Sequence, residues 1–412
     1  MLLDWIRGLP AGWRRLLLGL LGLFTVVAVA QVVHLAFIYY MMDAEVFQDA
    51  GWAMRRGQDL YSEDFPTRSG YRFIYPPFAA LLFWPMTWAG PVTLQVLWTL
   101  STVAAVYLIL FMVLRRLRVP QAWGWAALLL GISLYINPIA ANICFGQINV
   151  FLALLIVADV LGFLPRRLRG LGVGVAAGIK ITPAAYALIF LVRGRWGDVA
   201  RSFAWFLVTV VVGAIARPQE SLYFWTTEFF ATNRGGDASY GANQALSGLL
   251  ARAGIDGTVL QALIYVAFAA GAVAAGVAAW RLEKAGRPVL ALTVVALAVS
   301  SISPYAVSHH WSIIVLALPL LLTLRAPWAI GLGAALWAAV TLSPYGIFTE
   351  GAMGQSTQWT DPHPNLILGN LHGIVGLLTF IVLAACAIRG RIPREAWRDD
   401  AAPAPAAAEP AA

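Results

Sequence analysis

Three features of this sequence imply an all-α, polytopic membrane protein. Hydrophobic residues make up 60% of the 412-residue chain and charged residues 12%, with a mean hydropathy of +0.75, far too apolar for a water-soluble globule. The apolar residues fall in runs of membrane-spanning length, where a helix satisfies every backbone group internally. Cations cluster between those runs, as orientation in an anionic bilayer requires. The same distribution accounts for the net charge of +8 without nucleic acid, because no basic stripe with interleaved aromatics occurs. Cys144 and Cys386 are the only cysteines, so neither a disulfide framework nor a cysteine metal cluster is implied.

The chain opens on an amphipathic piece, Leu2 to Arg15, whose Trp5 and Trp13 suit the cytoplasmic headgroup layer. Residues 16–38 carry no charge and follow Arg14 and Arg15. This first span therefore leaves the N-terminus in the cytoplasm and brings Asp43 out on the far side. Ala28-Val29-Ala30 resembles a cleavage site, but the apolar run continues to Tyr40, so the segment is read as an uncleaved anchor. The pattern predicts an outer-loop helix from Ala44 to Arg56 that ends at Gly57, on which Glu45 points away from a cavity at Asp43. At Tyr75-Pro76-Pro77-Phe78 the chain re-enters the membrane, since Pro77 can begin a helix but not continue one. A half-helix is expected over 78–88, then a crossing over 91–114 that ends in Arg115, Arg116 and Arg118.

Residues 122–136 read as crossing outward to Asn137-Pro138, and 148–164 as crossing back to Arg166, Arg167 and Arg169. Asn137, Asn142, Gln147 and Asn149 concentrate four amides at the outer turn. Such amides either glue helices together or line a polar cavity. Lys180 lies at the centre of the apolar segment 170–192, where an unpaired lysine is costly and therefore a functional candidate. Two readings stay open: the segment enters and returns at Pro183 beside a wet cavity, or it crosses straight with Lys180 snorkelling. Residues 202–216 cross outward to a second outer loop, 217–257, whose dense aromatics suggest amphipathic helices on the outer leaflet. Further crossings are marked by cytoplasmic cations at 281–287, 325 and 389–391, with outward turns at 303–311 and 343–365. The total is about ten full spans plus two half-helices, or about twelve if the broken segments cross fully. They form a single membrane domain over 1–398, followed by a disordered Pro/Ala-rich cytoplasmic tail over 399–412.

Asp43, the amide cluster, Asn243, Gln244, His309 and His310 all fall on the non-cytoplasmic side in this topology, while the inner face offers mainly positive charge. A site at the outer membrane surface, fed by lipid, is the economical interpretation. An alternative from another class is a secondary transporter or lipid flippase with its site at the broken helices.

Seven short motifs then carry a resemblance. They are Asp43-x-x-Val46-Phe47, Gly57-x-Asp59-Leu60-Tyr61, Phe73-x-Tyr75-Pro76-Pro77-Phe78, Gly146-Gln147-x-Asn149 with Asp159, Lys180-x-x-Pro183, Asn243-Gln244-x-x-x-Gly248, and Ser303-Pro304 followed by His309-His310. In this order the chain resembles the family 87 glycosyltransferases of the C-type superfamily, the polyprenyl-phosphate-mannose-dependent α-mannosyltransferases of actinobacteria. Ala245 stands where such proteins more often carry Ser, and Val307-Ser308 where Trp-Asp is expected, which leaves the histidines without their usual neighbouring acid.

The resemblance implies a C-type fold with outer-face amphipathic loops in the plasma membrane, the active site facing the periplasm or exterior. It implies inverting transfer of mannose from polyprenyl phosphate mannose to a mannosylated lipid or lipoglycan, forming an α-1,2 linkage. Asp43 is then the catalytic base. His309, His310 and Lys180 would meet the donor phosphate, with Arg72 and Arg234 as further cations, and Glu45, Tyr75, Gln147, Asn149, Asn243 and Gln244 would line the substrate cavity. Consecutive helical residues cannot share a face, so one histidine is expected to meet the phosphate and the other to pack, with the lean toward His309. No cofactor or metal is expected; relatives that use Asp43 and Glu45 positions as cation ligands define the alternative.

Overall fold

The computed structural model describes residues 2–62, 65, 67–231, 236–343 and 363–395. The expected loop at 344–362 and the tail at 399–412 lie outside them. Among the described residues the chain is helical, and strand pairing is limited to two isolated bridges, Asn243 with Val307 and Leu324 with Glu395.

Helices α1 (Leu2–Gly8) and α2 (Ala11–Leu35) divide at Pro10, which precedes α2 with extended backbone geometry. Helix α3 (Met42–Arg56) begins two residues earlier than expected and stops at Gly57, whose φ of 68° closes the helix in the left-handed region. Asp43 therefore sits in the first turn. The half-helix is present as α4 (Pro77–Phe83) with a 3-10 turn over Trp84–Trp88, followed by α5 (Pro91–Arg116).

The expected crossing over 122–136 forms α6 (Ala122–Leu134), and the turn after it is itself helical, α7 (Asn137–Phe145), bent from α6 by 77°. The extended backbone at Ile136 makes the corner, and Pro138 sits in the first turn of α7, where its missing N–H is not needed. Helix α8 (Asn149–Val160) has 12 residues, about 18 Å, and does not by itself reach across the hydrocarbon layer.

Segment 170–192 is broken into α9 (Leu171–Ile179), an extended Lys180, a 3-10 turn over Thr182–Tyr186, and α10 (Ala187–Val192). Arg169 before it and Arg193 after it line the same concavity. The segment thus enters and leaves by one end, which settles the two sequence readings in favour of re-entry. Helices α11 (Trp196–Ala216), α12 (Pro218–Thr226), α13 (Leu246–Arg252), α14 (Gly257–Lys284), α15 (Pro288–Ile302), α16 (Ala317–Thr323) and α17 (Pro327–Leu342) follow, and Leu371–Ile388 forms the C-terminal helix.

By length and composition, α2, α5, α11, α14 and the C-terminal helix can each cross a membrane, or six segments if the bent α6–α7 pair counts as one. The remaining expected crossings are shorter apolar helices, among them α15 and α17. Helix α15 is apolar nearly all round and buried nearly all round, as a central helix should be. In contrast, α2 exposes Leu20, Leu23 and Val26 to the surroundings.

The molecule has two chemically distinct ends. Arg193 pairs with Glu283 at 2.7 Å, Arg287 with Glu395 at 3.6 Å, and the Arg325 amide donates to the Arg394 carbonyl at 3.0 Å. These contacts gather the basic clusters at one end. At the other, Met41 and Ala44 pack against Val96 and Trp98 near the start of α5, about 27 Å along that helix from Arg116 at 1.5 Å per residue.

Candidate active site

The site is assembled where α3 begins. Gly146 closes α7 with φ at 69°, and a Cβ built there would lie 2.5 Å from Ala44 Cβ and 3.1 Å from Met41 Cβ. Both the backbone sign and the space require glycine. This close approach brings the Gln147 side chain beside Asp43, where it favours the ionised carboxylate.

From Gln147 the polar contacts continue inward. Its Oε1 accepts from the Tyr75 hydroxyl at 3.4 Å and from Asn149 Nδ2 at 3.3 Å. Asn149 Oδ1 accepts from the Lys180 ammonium at 3.0 Å, and Lys180 Nζ lies 3.0 Å from His310 Nε2 and 5.7 Å above the Tyr75 ring. Two amides thus separate a carboxylate from a cation. An oriented amide run of this kind transmits polarity without placing the two charges in contact.

Each member is held locally. Tyr75 is fixed by the following prolines, by the Tyr61 hydroxyl donating to its carbonyl at 2.6 Å, and by edge contact with Phe47 at 5.3 Å. Lys180 is presented by the helix break, since its extended φ of −147° turns the side chain out of the α9 register. Helix α8 supports both ends of α9. Asn149 at its start engages Lys180, and Asp159 near its end accepts from the Gly170 and Val173 amides at 2.9 and 3.0 Å. That carboxylate satisfies the free N–H groups at the N-terminus of α9.

Asp43 is partly buried, and loss of hydration pushes its carboxyl up to about 6 from 3.8. The neighbouring Gln147 amide and the Lys180 charge oppose the shift without cancelling it. Burial likewise raises the Tyr75 hydroxyl, reinforced by the Asp43 charge, so Tyr75 acts as a neutral donor.

The two histidines are unequal, and His310 rather than His309 joins the network. They lie on a 3-10 turn over Ser308–Leu316, with rings 4.7 Å apart and nearly perpendicular at 87°. His309 packs edge-on against Phe145 at 5.6 Å, and Asn142 Nδ2 donates to its carbonyl at 3.2 Å. A cavity of about 80 Å³ lies beside Lys180 and His310, bounded by Asn149, Tyr186, Ser303 and Tyr305.

Four expected site residues lie elsewhere. Asn243 is fully buried: its Oδ1 accepts from the Ala306 amide at 3.0 Å and its Nδ2 donates to the Ala238 carbonyl at 2.9 Å. Gln244 is fully buried too, donating to the Gly241 and Gly369 carbonyls at 2.8 and 2.9 Å and accepting from the Gly373 amide at 3.0 Å. With their amides so engaged, Asn243 pins the outer loop to the turn ahead of His309 and Gln244 pins it to the start of the C-terminal helix, instead of lining a cavity. Glu45 faces the loop, where Arg68 pairs with it at 3.4 Å and with Asp49 at 2.8 Å. Arg72 is exposed and donates to the Tyr61 carbonyl at 3.4 Å. Arg234 lies outside the described residues.

Sequence reasoning missed Arg252. This buried side chain donates to the Tyr240 and Asn243 carbonyls at 2.7 and 2.8 Å and to Asn370 Oδ1 at 2.9 Å. A single arginine at a helix end reads as interfacial, and nothing in the local pattern distinguishes it.

A profile of glycosyltransferase family 87 matches residues 73–304. A polyprenol-phosphate-mannose-dependent alpha-(1-2)-phosphatidylinositol mannoside mannosyltransferase of Mycolicibacterium smegmatis is 33% identical over 341 residues, covering 74% of this chain and 77% of that protein. The Mycobacterium tuberculosis protein of the same description is 32% identical over 321 residues, covering 72% and 74%. Among solved structures, ArnT from Cupriavidus metallidurans bound to undecaprenyl phosphate aligns with 90% of this chain and 78% of that one, at a TM-score of 0.45 and 16% identity.

Proposed function

The chain belongs to glycosyltransferase family 87, and from that premise we propose that it transfers mannose from polyprenyl phosphate mannose to a phosphatidylinositol mannoside. The product linkage is α-1,2, formed with inversion at the non-cytoplasmic face of the plasma membrane. The relatives' donor and acceptor suggest the substrates, and the clustering of cations at the opposite end supports the orientation. The observation that carries the chemistry is the placement of Asp43 beside Gln147, from which hydrogen bonds run through Asn149 to Lys180.

In this reading the acceptor hydroxyl oxygen attacks the anomeric carbon as its proton passes to Asp43, and the anomeric carbon–oxygen bond to phosphate breaks with its electron pair. A base titrating near 6 is ionised at neutral pH yet basic enough to share a proton in the transition state. The departing phosphate gains charge, which the Lys180 ammonium stabilises in a weakly hydrated site. His310 holds that ammonium in place as an acceptor. One carboxylate suffices because the phosphate leaves unprotonated, unlike the paired acids of glycosidases. The broken segments that favoured a transporter on sequence grounds here deliver Lys180 and Tyr75 to the carboxylate.

The test is incubation of membranes carrying the chain with radiolabelled polyprenyl phosphate mannose and a panel of mannosylated lipids, with the product linkage determined by NMR. An α-1,2-mannosylated phosphatidylinositol mannoside is expected. Absence of transfer to every acceptor, with the chain folded, overturns the reading.

A further inference from the structure

A second concavity stands apart from Asp43. It lies at the basic end, with a volume of about 820 Å³, and is lined by Arg116, Arg169, Arg193, Arg195 and Lys284 against one carboxylate, Glu283. These cations come from the end of α5, the loop before α9, the loop after α10 and the end of α14. A sequence needs only scattered cations to orient its spans. Convergence of four separate elements on one hollow is a property of the fold.

Glu283 is engaged by Arg193 at 2.7 Å and Asp198 lies 4.0 Å from Arg195, so cations outnumber carboxylates around the hollow. Arg169 Nε is buried without a hydrogen-bond partner. Burial, and then the Arg193 and Arg169 charges, pull Arg195 below its ordinary range, with Asp198 and Glu283 opposing the shift. A smaller hollow of about 400 Å³ adjoins it, sharing Arg169 and Arg195 and adding Arg166, Arg201 and Asp198, the last paired with Arg201. Apolar Val160, Leu161 and Leu191 form the wall toward the spans, and Trp280 stands at the rim. Charged donors above an apolar wall with an interfacial tryptophan match a phosphodiester whose acyl chains continue into the bilayer.

We propose that this hollow binds the phosphate of an anionic phospholipid from the leaflet at that end. Arg169 and Arg193 open and close the re-entrant segment that carries Lys180. A shared anion between them offsets the repulsion that otherwise forces its two legs apart. The lipid is thereby a structural ligand of the segment, remote from the transfer chemistry and independent of which sugar is moved.

The experiment is thermal unfolding of the full chain in neutral detergent, titrated separately with phosphatidylglycerol, phosphatidylcholine and inorganic phosphate. The wild type is expected to gain a saturable rise in unfolding midpoint with phosphatidylglycerol only. The double variant Arg195→Gln/Lys284→Gln should need about tenfold more lipid for half the rise, as loss of a charge-assisted hydrogen bond implies. Both positions are exposed, and the single Arg195→Gln variant serves if the double one does not fold. An equal rise with phosphatidylcholine, or an unchanged phosphatidylglycerol response in the variant, overturns the site. An equal rise with inorganic phosphate overturns its assignment to a lipid.

Discussion

The Lys180 ammonium lies 3.0 Å from Nε2 of His310. Because an ammonium can only donate, that nitrogen must accept, which fixes the ring as neutral with its proton on Nδ1. His310 is thus a positioning residue for the cation. His310→Ala leaves a buried ammonium short of one partner, at about 1–3 kcal/mol, and should lower kcat/KM by about 5- to 150-fold at that energy. His310→Gln, which retains an acceptor, should recover part of the loss. His309→Ala should have the smaller effect, since that ring packs against Phe145. Equal defects in both alanine variants would contradict this division of roles.

Asp43→Asn should reduce transfer by about 100- to 10,000-fold with donor binding retained, as an amide of the same shape cannot take the proton. Glu45→Gln should change little, its carboxylate being committed to Arg68. Steady-state kinetics of the two variants decide between the acids.

The pH dependence has a defined sign. With the Asp43 carboxyl raised to about 6, kcat/KM should fall about tenfold per unit below that pH as the base protonates. Stability should move the other way. Between 3.8 and about 6 the folded state holds a proton that the unfolded state has lost, so this group's contribution to stability declines as pH rises through that window. Asp43→Asn removes the decline and should be the more stable protein at pH 7. Midpoints of thermal unfolding for the two proteins, measured from pH 4 to 8, provide the check.

Gly146→Ala should damage the site without touching a reacting group. The left-handed backbone costs a non-glycine residue about 1–3 kcal/mol, and the new methyl would meet Ala44 Cβ at 2.5 Å. Moving Ala44 displaces Asp43 from Gln147. Reduced stability together with reduced kcat is expected, and a variant with wild-type kcat would refute the proposed role of this contact.

Re-entry of segment 170–192 predicts that cysteines at Arg166 and Arg195, introduced after removal of Cys144 and Cys386, react with an impermeant reagent from the same side of a sealed vesicle. Labelling from opposite sides is incompatible with the hollow that Arg166 and Arg195 line together.

The sequence alone determined the membrane character, the helical class and the ends at which cations gather, because mean hydropathy and charge spacing act residue by residue and survive without knowledge of contacts. It also marked Asp43, Lys180 and the Gly146–Asn149 turn, since a charge in an apolar run or a glycine between amides is locally anomalous. What it left open was decided by partners distant in the chain. Asn243 and Gln244 looked like cavity amides, yet Ala306, Gly369 and Gly373 occupy their hydrogen-bonding groups. The two histidines are adjacent in sequence and chemically alike; only the position of Lys180, 130 residues away, gives His310 the polar role and leaves His309 to pack. Hydrogen bonds act over about 3 Å, so their pairing follows from how helices stack and not from any period along the chain.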